Sequence, residues 1–154
     1  MPSLHIREAS AGDLSRIVEL KLAMFNESGH AELLAPDARA LILQDYKHLY
    51  SINDAQHFIA ESEGVAVACA GGFLKSDLPY RYFRTPRYGF VGDVYTEQAF
   101  RKQGLAQILS ERVLLWLRSK NVRMIRLLAS EAGRPLYLKL GFLPTDEMVR
   151  VDAI

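Results

Sequence analysis

Gly89-Phe90-Val91-Gly92-Asp93-Val94-Tyr95-Thr96, the turn Arg101-Lys102-Gln103-Gly104-Leu105-Ala106 and the apolar pattern that continues from it to residue 120 decide the fold. The first segment has the composition of a largely buried β-strand. In the last, Leu105, Ile108, Leu109, Val113, Trp116 and Leu117 fall on one side of a helix. A further strand over 124–128 completes a strand-helix-strand unit, whose crossover is right-handed by default. The turn in the middle opens the helix, where several backbone N–H groups lack partners and the macrodipole adds partial positive charge. Arg101 and Lys102 supply full charges, Gly104 permits close approach to the backbone, and Ala106 keeps bulk away from the first turn. The arrangement suits a phosphate or pyrophosphate, although the same hexapeptide taken alone also fits an ordinary basic surface turn. It has neither the Gly-Lys-Ser/Thr of a nucleotide phosphate loop nor the spaced glycines of a dinucleotide fingerprint.

Working outward, residues 4–7 read as a short strand, and Ser10 with Asp13 forms a capping pair for a helix carrying Leu14, Ile17, Val18, Leu20, Leu22 and Phe25 up to Gly29. Pro36 opens a second helix through Leu41, Leu43 and Leu49, and the polar stretch 26–34 before it is a candidate substrate loop. Residues 57–61 and 65–74 form a hairpin about Ser62-Glu63-Gly64. Residues 75–87 are a loop in which Tyr80, Tyr82 and Phe83 either pack the segment down or line a cleft. Beyond the central unit, a helix over 132–140 ends at Gly141, and 148–151 supplies a last strand. The pattern predicts a mixed α/β fold, one domain over 1–154, with a central sheet of about six or seven strands flanked by about four helices.

Composition narrows the function. With 154 residues, 49% hydrophobic and 24% charged, the chain is sized for one domain with its own core. Cys69 is its only cysteine, so an internal disulfide or a cysteine metal cluster is excluded, and it reads as a small buried hydrophobe. His5, His30, His48 and His57 are scattered without ligand spacing, so no metal is expected. Without a signal segment or a run of transmembrane length, a soluble cytoplasmic protein without membrane contact is expected. Net charge is only +1, yet residues 1–74 hold 10 acids against 5 Lys or Arg, whereas residues 75–126 hold 4 against 11. The basic stretch raises a nucleic-acid-binding module, but several of its charges fall on a helix whose other face is core, without interleaved aromatics, so no nucleic acid is expected. The acidic part, with Glu27, Glu32 and Asp37 near the variable loop, suggests attraction of a cationic amine; uneven scatter of solvated surface charge is the plain alternative.

Two segments, Val94-Tyr95-Thr96-Glu97-Gln98-Ala99-Phe100-Arg101-Lys102-Gln103-Gly104-Leu105-Ala106 and Leu136-Tyr137-Leu138-Lys139-Leu140-Gly141-Phe142, resemble the GCN5-related N-acetyltransferase superfamily. Its members transfer the acetyl group of acetyl-coenzyme A (acetyl-CoA) to an amine. The order of the segments, their separation by one helix and one strand, and the opening Ile6-Arg7-Glu8-Ala9 followed by Asp13 extend the resemblance over nearly the whole chain. Gln98 stands where the family usually has a proline, and Ser130 where the later segment often begins with asparagine. The resemblance implies that N–H groups between Lys102 and Ala106, with Gln103, Gly104 and Leu105, hold the pyrophosphate of acetyl-CoA, with Arg101 contributing contact or only charge. It places Val94, Tyr95 and Thr96 along the pantetheine arm through their backbone, and Ser130 and Arg134 beside the cofactor; the Val94 and Thr96 side chains themselves read as ordinary packing.

Acetyl transfer to a primary amine within a ternary complex needs a neutral nucleophile, stabilisation of the oxyanion and a proton for the leaving thiolate. A backbone N–H in 94–96 could polarise the thioester carbonyl. Tyr137 matches the tyrosine that often serves the family as general acid, and it equally fits a helix aromatic packed on the sheet. Asp93, Glu97 and Glu27 are candidate bases, each of which also reads as a solvated surface charge; Tyr95 is another, and a weakly basic amine needs none. The acceptor is a small-molecule or peptide amine whose identity the sequence leaves open, and a homodimer formed through sheet edges is compatible with the pattern. A sensor that binds acyl-CoA without turnover would share every one of these features except the need for Tyr137.

Overall fold

The computed structural model describes residues 3–77 and 86–152. Five strands form one sheet in the order β1 (Leu4–Glu8), β2 (Ala55–Ser62), β3 (Val65–Ser76), β4 (Arg87–Thr96) and β5 (Ile125–Leu127). The first four pair antiparallel and β4 pairs parallel with β5, so the sheet is mixed. Four α-helices accompany it: α1 (Leu14–Glu27), α2 (Ala38–Ser51), α3 (Leu105–Ser119) and α4 (Arg134–Lys139).

Strand alternation sorts side chains between two helical layers. Phe58, Ala60, Ala68, Ala70 and Leu74 point to α3, where Leu105, Leu109, Val113 and Leu117 are buried. Ile59 and Cys69 point to the other face, covered by Leu14, Ile17, Val18 and Leu20 of α1 and Tyr46 of α2. Close approach of α3 requires Gly72 and Gly89: a Cβ there would lie 3.0 Å from Val113 and from Leu117, respectively.

Chain ends of the helices follow their sequence signals. The Asp13 carboxylate accepts the backbone N–H of Ser10 at 2.8 Å, the reciprocal half of the expected capping pair. Gly29 and Gly141, with φ of 77° and 96°, turn the chain out of α1 and α4 in the left-handed region, where glycine carries no Cβ penalty.

The sheet has five strands among the described residues, fewer than the six or seven expected. The strand expected over 148–151 does not form: β5 is three residues long, and among the described residues no strand pairs with 142–152. Tyr80, Tyr82 and Phe83 lie outside the described residues.

Candidate functional site

One irregularity in β4 generates most of the site. Cys69 pairs with Tyr95 and Gly71 with Gly92, so the single residue Ala70 opposes both Asp93 and Val94, a β-bulge. Asp93 takes φ of 56°, a left-handed conformation uncommon outside glycine. In a straight strand Asp93 would follow Val91 into the α3 core. The bulge turns it to the other face instead, and Val94 takes the place against α3.

There the Asp93 side chain, 1% exposed, is held from three elements. Lys21 of α1 donates to Oδ1 at 2.5 Å, Tyr46 of α2 donates its hydroxyl to Oδ2 at 2.5 Å, and His57 Nε2 of β2 lies 2.8 Å from Oδ2. The Tyr50 hydroxyl is 2.9 Å from His57 Nδ1 and accepts the His57 backbone N–H at 2.8 Å, which assigns the ring hydrogen to Nε2 and points it at Asp93. Below, the Cys69 thiol donates to the Asp93 carbonyl at 3.1 Å, in keeping with its expected burial. Burial opposes ionisation of Asp93, but the hydrogen bond from His57 and the charge of Lys21 outweigh it and hold the carboxyl below its usual range. Burial raises the Tyr46 and Tyr50 phenols and the Cys69 thiol, so these remain protonated donors.

Beyond the bulge this edge of β4 has no strand partner among the described residues. Only Gly89, Phe90 and Val91 pair with β5, so from Gly92 onward the two parallel strands separate. Between them opens a cleft of about 480 Å³ with Val91 to Val94 on one wall, Leu128, Ser130 and Tyr137 on the other, and Lys21, Phe25, Asp45 and Tyr46 from α1 and α2 across its mouth. Tyr137 lies on α4 with its ring 6.0 Å from that of Phe142, and burial raises its phenol above the ordinary value. Ser130 accepts the backbone N–H of Gly133 at 3.0 Å and so fixes the start of that helix, while Arg134 is exposed.

The turn before α3 leaves a row of backbone donors exposed. Lys102 and Gly104 both have positive φ, 66° and 76°, and the first helical bond returns from Ile108 to the Gly104 carbonyl. Among the described residues, the backbone N–H groups of Lys102, Gln103, Gly104, Leu105, Ala106 and Gln107 have no hydrogen-bond partner. A Cβ at Gly104 would meet nothing within 4 Å, so the space before these donors is open. They form a concave row of donors at the positive end of a helix, fit for a phosphate. Leu105 is 4% exposed, so its side chain belongs to the core and only its backbone joins the row.

Arg101 is tied back to the protein. Its Nε donates to the Thr96 carbonyl at 2.8 Å and its guanidinium pairs with Glu27 at 2.7 Å, while the Tyr95 hydroxyl donates to the same Glu27 at 2.8 Å. The Arg101 and Tyr95 hydrogen bonds lower the Glu27 carboxyl; burial and Glu27 raise the Tyr95 phenol. Glu97 pairs with Arg16 at 3.1 Å. Each of the candidate bases Asp93, Glu97 and Glu27 therefore already faces a cation, and Glu27, Glu32 and Asp37 do not line the cleft. Asp45 does, and it has no hydrogen bond or ion pair among the described residues.

Sequence reasoning brought Val94, Ser130 and Tyr137 to the cleft but missed Lys21, Tyr46, Asp45 and His57. A signal was present: one carboxylate between two apolar strand residues needs buried partners, and His57 shares a strand face with Ile59.

Residues 17–142 match a family model described as the acetyltransferase (GNAT) family. In structure the chain is similar to a protein described as a predicted acetyltransferase with acetyl-CoA, from Clostridium acetobutylicum, at TM-score 0.88 and 26% identity, covering 97% of this chain and 96% of that one. It is similar in fold to a GCN5-related N-acetyltransferase from Ralstonia eutropha (TM-score 0.85, 24% identity, coverage 97% and 99%) and to glucosamine-6-phosphate N-acetyltransferase from Arabidopsis thaliana (0.70, 16%, 99% and 98%). No functionally curated protein matches the sequence significantly.

Proposed function

The chain belongs to the GNAT acetyltransferase family, and from that premise we propose that it transfers the acetyl group of acetyl-CoA to a primary amine by direct attack within a complex of both substrates. The observation that carries the reading is the juxtaposition of an unpartnered row of N–H donors at 102–107 with a β4 edge that has no strand partner and leads to Tyr137 across one cleft. The similar protein from Clostridium acetobutylicum, described with acetyl-CoA, supports the choice of cosubstrate.

When bound, acetyl-CoA supplies a thioester carbonyl and a thiolate leaving group. The 102–107 donors hold its pyrophosphate, with Lys102 adding charge and Arg101 anchoring the turn to Thr96 and Glu27. The backbone edge of 94–96, without a strand partner on this side, pairs with the amide-like arm and offers an N–H to the carbonyl oxygen. As the amine nitrogen bonds to the carbonyl carbon and the carbon–sulfur bond breaks, Tyr137 gives its phenolic proton to sulfur, and the proton lost by the amine returns through solvent to the tyrosinate. Its raised phenol keeps Tyr137 a donor at neutral pH. Asp93 supports Lys21 and the bulge; the donors around it make it a poor proton acceptor.

Calorimetric titration with acetyl-CoA tests the cosubstrate: wild type binds saturably, and Gly104→Glu, which puts bulk and negative charge before the donors, abolishes binding. Absence of binding by folded wild type refutes the reading. Tyr137→Phe is expected to retain binding and lower turnover roughly 100-fold or more.

A homodimer belongs to the same reading. In the sheet order β5 is terminal, and Leu128, Leu143, Met148, Val149 and Val151 beside and after it are 80%, 80%, 94%, 78% and 88% exposed. A second copy covering this edge and tail would bury them. Light scattering is expected to give twice the monomer mass and to fall to the monomer for a Val149→Asp/Val151→Asp variant; a monomeric wild type refutes it.

A further inference from the structure

The acetyltransferase reading leaves the acceptor open, and the charges inside the cleft narrow it. Among the described residues its lining holds Lys21, Lys75, Asp45 and Asp93. Asp93 has both oxygens engaged by protein donors and is 1% exposed, so it offers nothing to a ligand. Its charge balances that of Lys21, whose side chain is 22% exposed and gives only one of its three N–H groups to Asp93; the others remain for the cleft. Lys75 of β3 has no carboxylate partner among the described residues and lies 4.2 Å from the centroid of the Phe90 ring. Asp45 of α2 is equally without a partner.

After the internal pair is discounted, one unbalanced ammonium and one unbalanced carboxylate face the same space, with Phe25, Phe73 and Leu49 supplying apolar wall. That is the complement of a zwitterion. A polyamine would set several positive charges against two ammonium groups and only one available carboxylate, and like-charge juxtaposition disfavours it. An amine bearing a carboxylate satisfies every group: its carboxylate takes Lys75 and the spare donors of Lys21, and its nitrogen is oriented by Asp45. Resting on the acetyltransferase reading, we propose that the acceptor is an amino acid with an apolar side chain, recognised at its carboxylate by Lys21 and Lys75 and at its amine by Asp45. This replaces the cationic acceptor that the acidic first half of the sequence suggests, because Glu27, Glu32 and Asp37 stand outside the cleft.

The test is release of free thiol from acetyl-CoA with L-phenylalanine, L-phenylalaninamide or spermidine as acceptor, in wild type and in Lys75→Met, which alters an exposed side chain. The amide keeps the side chain and the amine but lacks the carboxylate, and its amine is the more often neutral, so intrinsic reactivity favours it. The acid is expected to exceed the amide in kcat/KM by about fivefold or more, as for one partly exposed ion pair, and Lys75→Met to lower that ratio by a similar factor. Amide or spermidine equal to or better than the acid, or a ratio unmoved by Lys75→Met, overturns the inference. A protein that takes up acetyl-CoA but neither acetylates phenylalanine nor, in calorimetry of the acetyl-CoA-loaded form, binds it overturns the inference alone. Failure to take up acetyl-CoA overturns the acetyltransferase reading and this inference with it.

Discussion

Replacing Gly71 by alanine should unseat the buried carboxylate network without touching any of its members. Gly71 follows Ala70, the residue opposite the bulge, and a Cβ there would stand 2.7 Å from both Cδ2 and Nε2 of His57 and 3.0 Å from Phe73. Carbon atoms in contact sit about 3.5–4.0 Å apart, so the imidazole must retreat by roughly 1 Å. It has nowhere to go: the ring is 0% exposed, with the Tyr46, Tyr50 and Phe73 rings at centroid distances of 5.2, 5.9 and 5.4 Å. Retreat from Gly71 stretches the 2.8 Å contact from Nε2 to Asp93 beyond hydrogen-bonding range. Loss of a charge-assisted bond costs about 1.5–3 kcal/mol and overpacking about 1–3, while the stiffer unfolded chain returns about 0.4–1. The net is destabilisation by about 2–5 kcal/mol, or a Tm lower by about 5–15 °C for a domain of this size. Urea unfolding followed by fluorescence of Trp116, the only tryptophan, reads it directly. In a His57→Ala background the nearer ring is gone and only the Phe73 contact remains, so Gly71→Ala should then cost at least about 1 kcal/mol less than in wild type. An equal loss in both backgrounds, or a Gly71→Ala protein as stable as wild type, refutes the reasoning.

Acid should destabilise the fold through two carboxylates. The hydrogen bond from Arg7 brings Asp13 down to about 2, and Asp93 is also depressed; a folded value below the unfolded one gives stability that is complete above about pH 4 and lost as pH falls through the folded value. The urea midpoint should therefore be flat from pH 7 to about 5 and fall by pH 3, and an unchanged midpoint at pH 3 contradicts it. Asp93→Asn should cost about 3–5 kcal/mol by leaving Lys21 without its counter-charge and donors facing an amide, measured by the same unfolding; a loss below about 1 kcal/mol counts against a structural role for the carboxylate. Gly133→Ala should depress turnover more than acetyl-CoA binding, because a Cβ there would lie 3.0 Å from the Tyr137 ring and 3.1 Å from Ser130 Oγ; unchanged kcat separates Tyr137 from the chemistry.

What the sequence made legible is what local pattern carries. The strand, basic turn and helix from 87 to 119 are there because alternating and helical apolar spacings sit on either side of Gly104, and Leu105, Leu109, Val113 and Leu117 lie in the core as their spacing requires. The same logic misjudged 148–151, since a strand needs a neighbour as well as a composition, and the three-residue β5 provides none. Asp93 was visible as a carboxylate beside the cofactor strand, but its function depends on a face. A strand period of two sends it toward α3, and only the extra residue at the bulge, with φ of 56°, sends it toward α1 and α2. Its partners Lys21, Tyr46 and His57 lie 72, 47 and 36 residues away in sequence, with no spacing to announce them. Once the bulge is known the cluster follows from necessity. A buried carboxylate must gather donors, and the faces of α1, α2 and β2 that meet there supply an ammonium, a phenol and an imidazole. The left-handed residue costs on the order of 1 kcal/mol and persists because those donors fix its side chain, so the support of Asp93 is also what holds the β4 edge open beyond Val91. Lys21, Tyr46 and His57 all lie outside 94–106, which is why a motif confined to that segment could mark the turn before α3 and leave this side of the cleft unread.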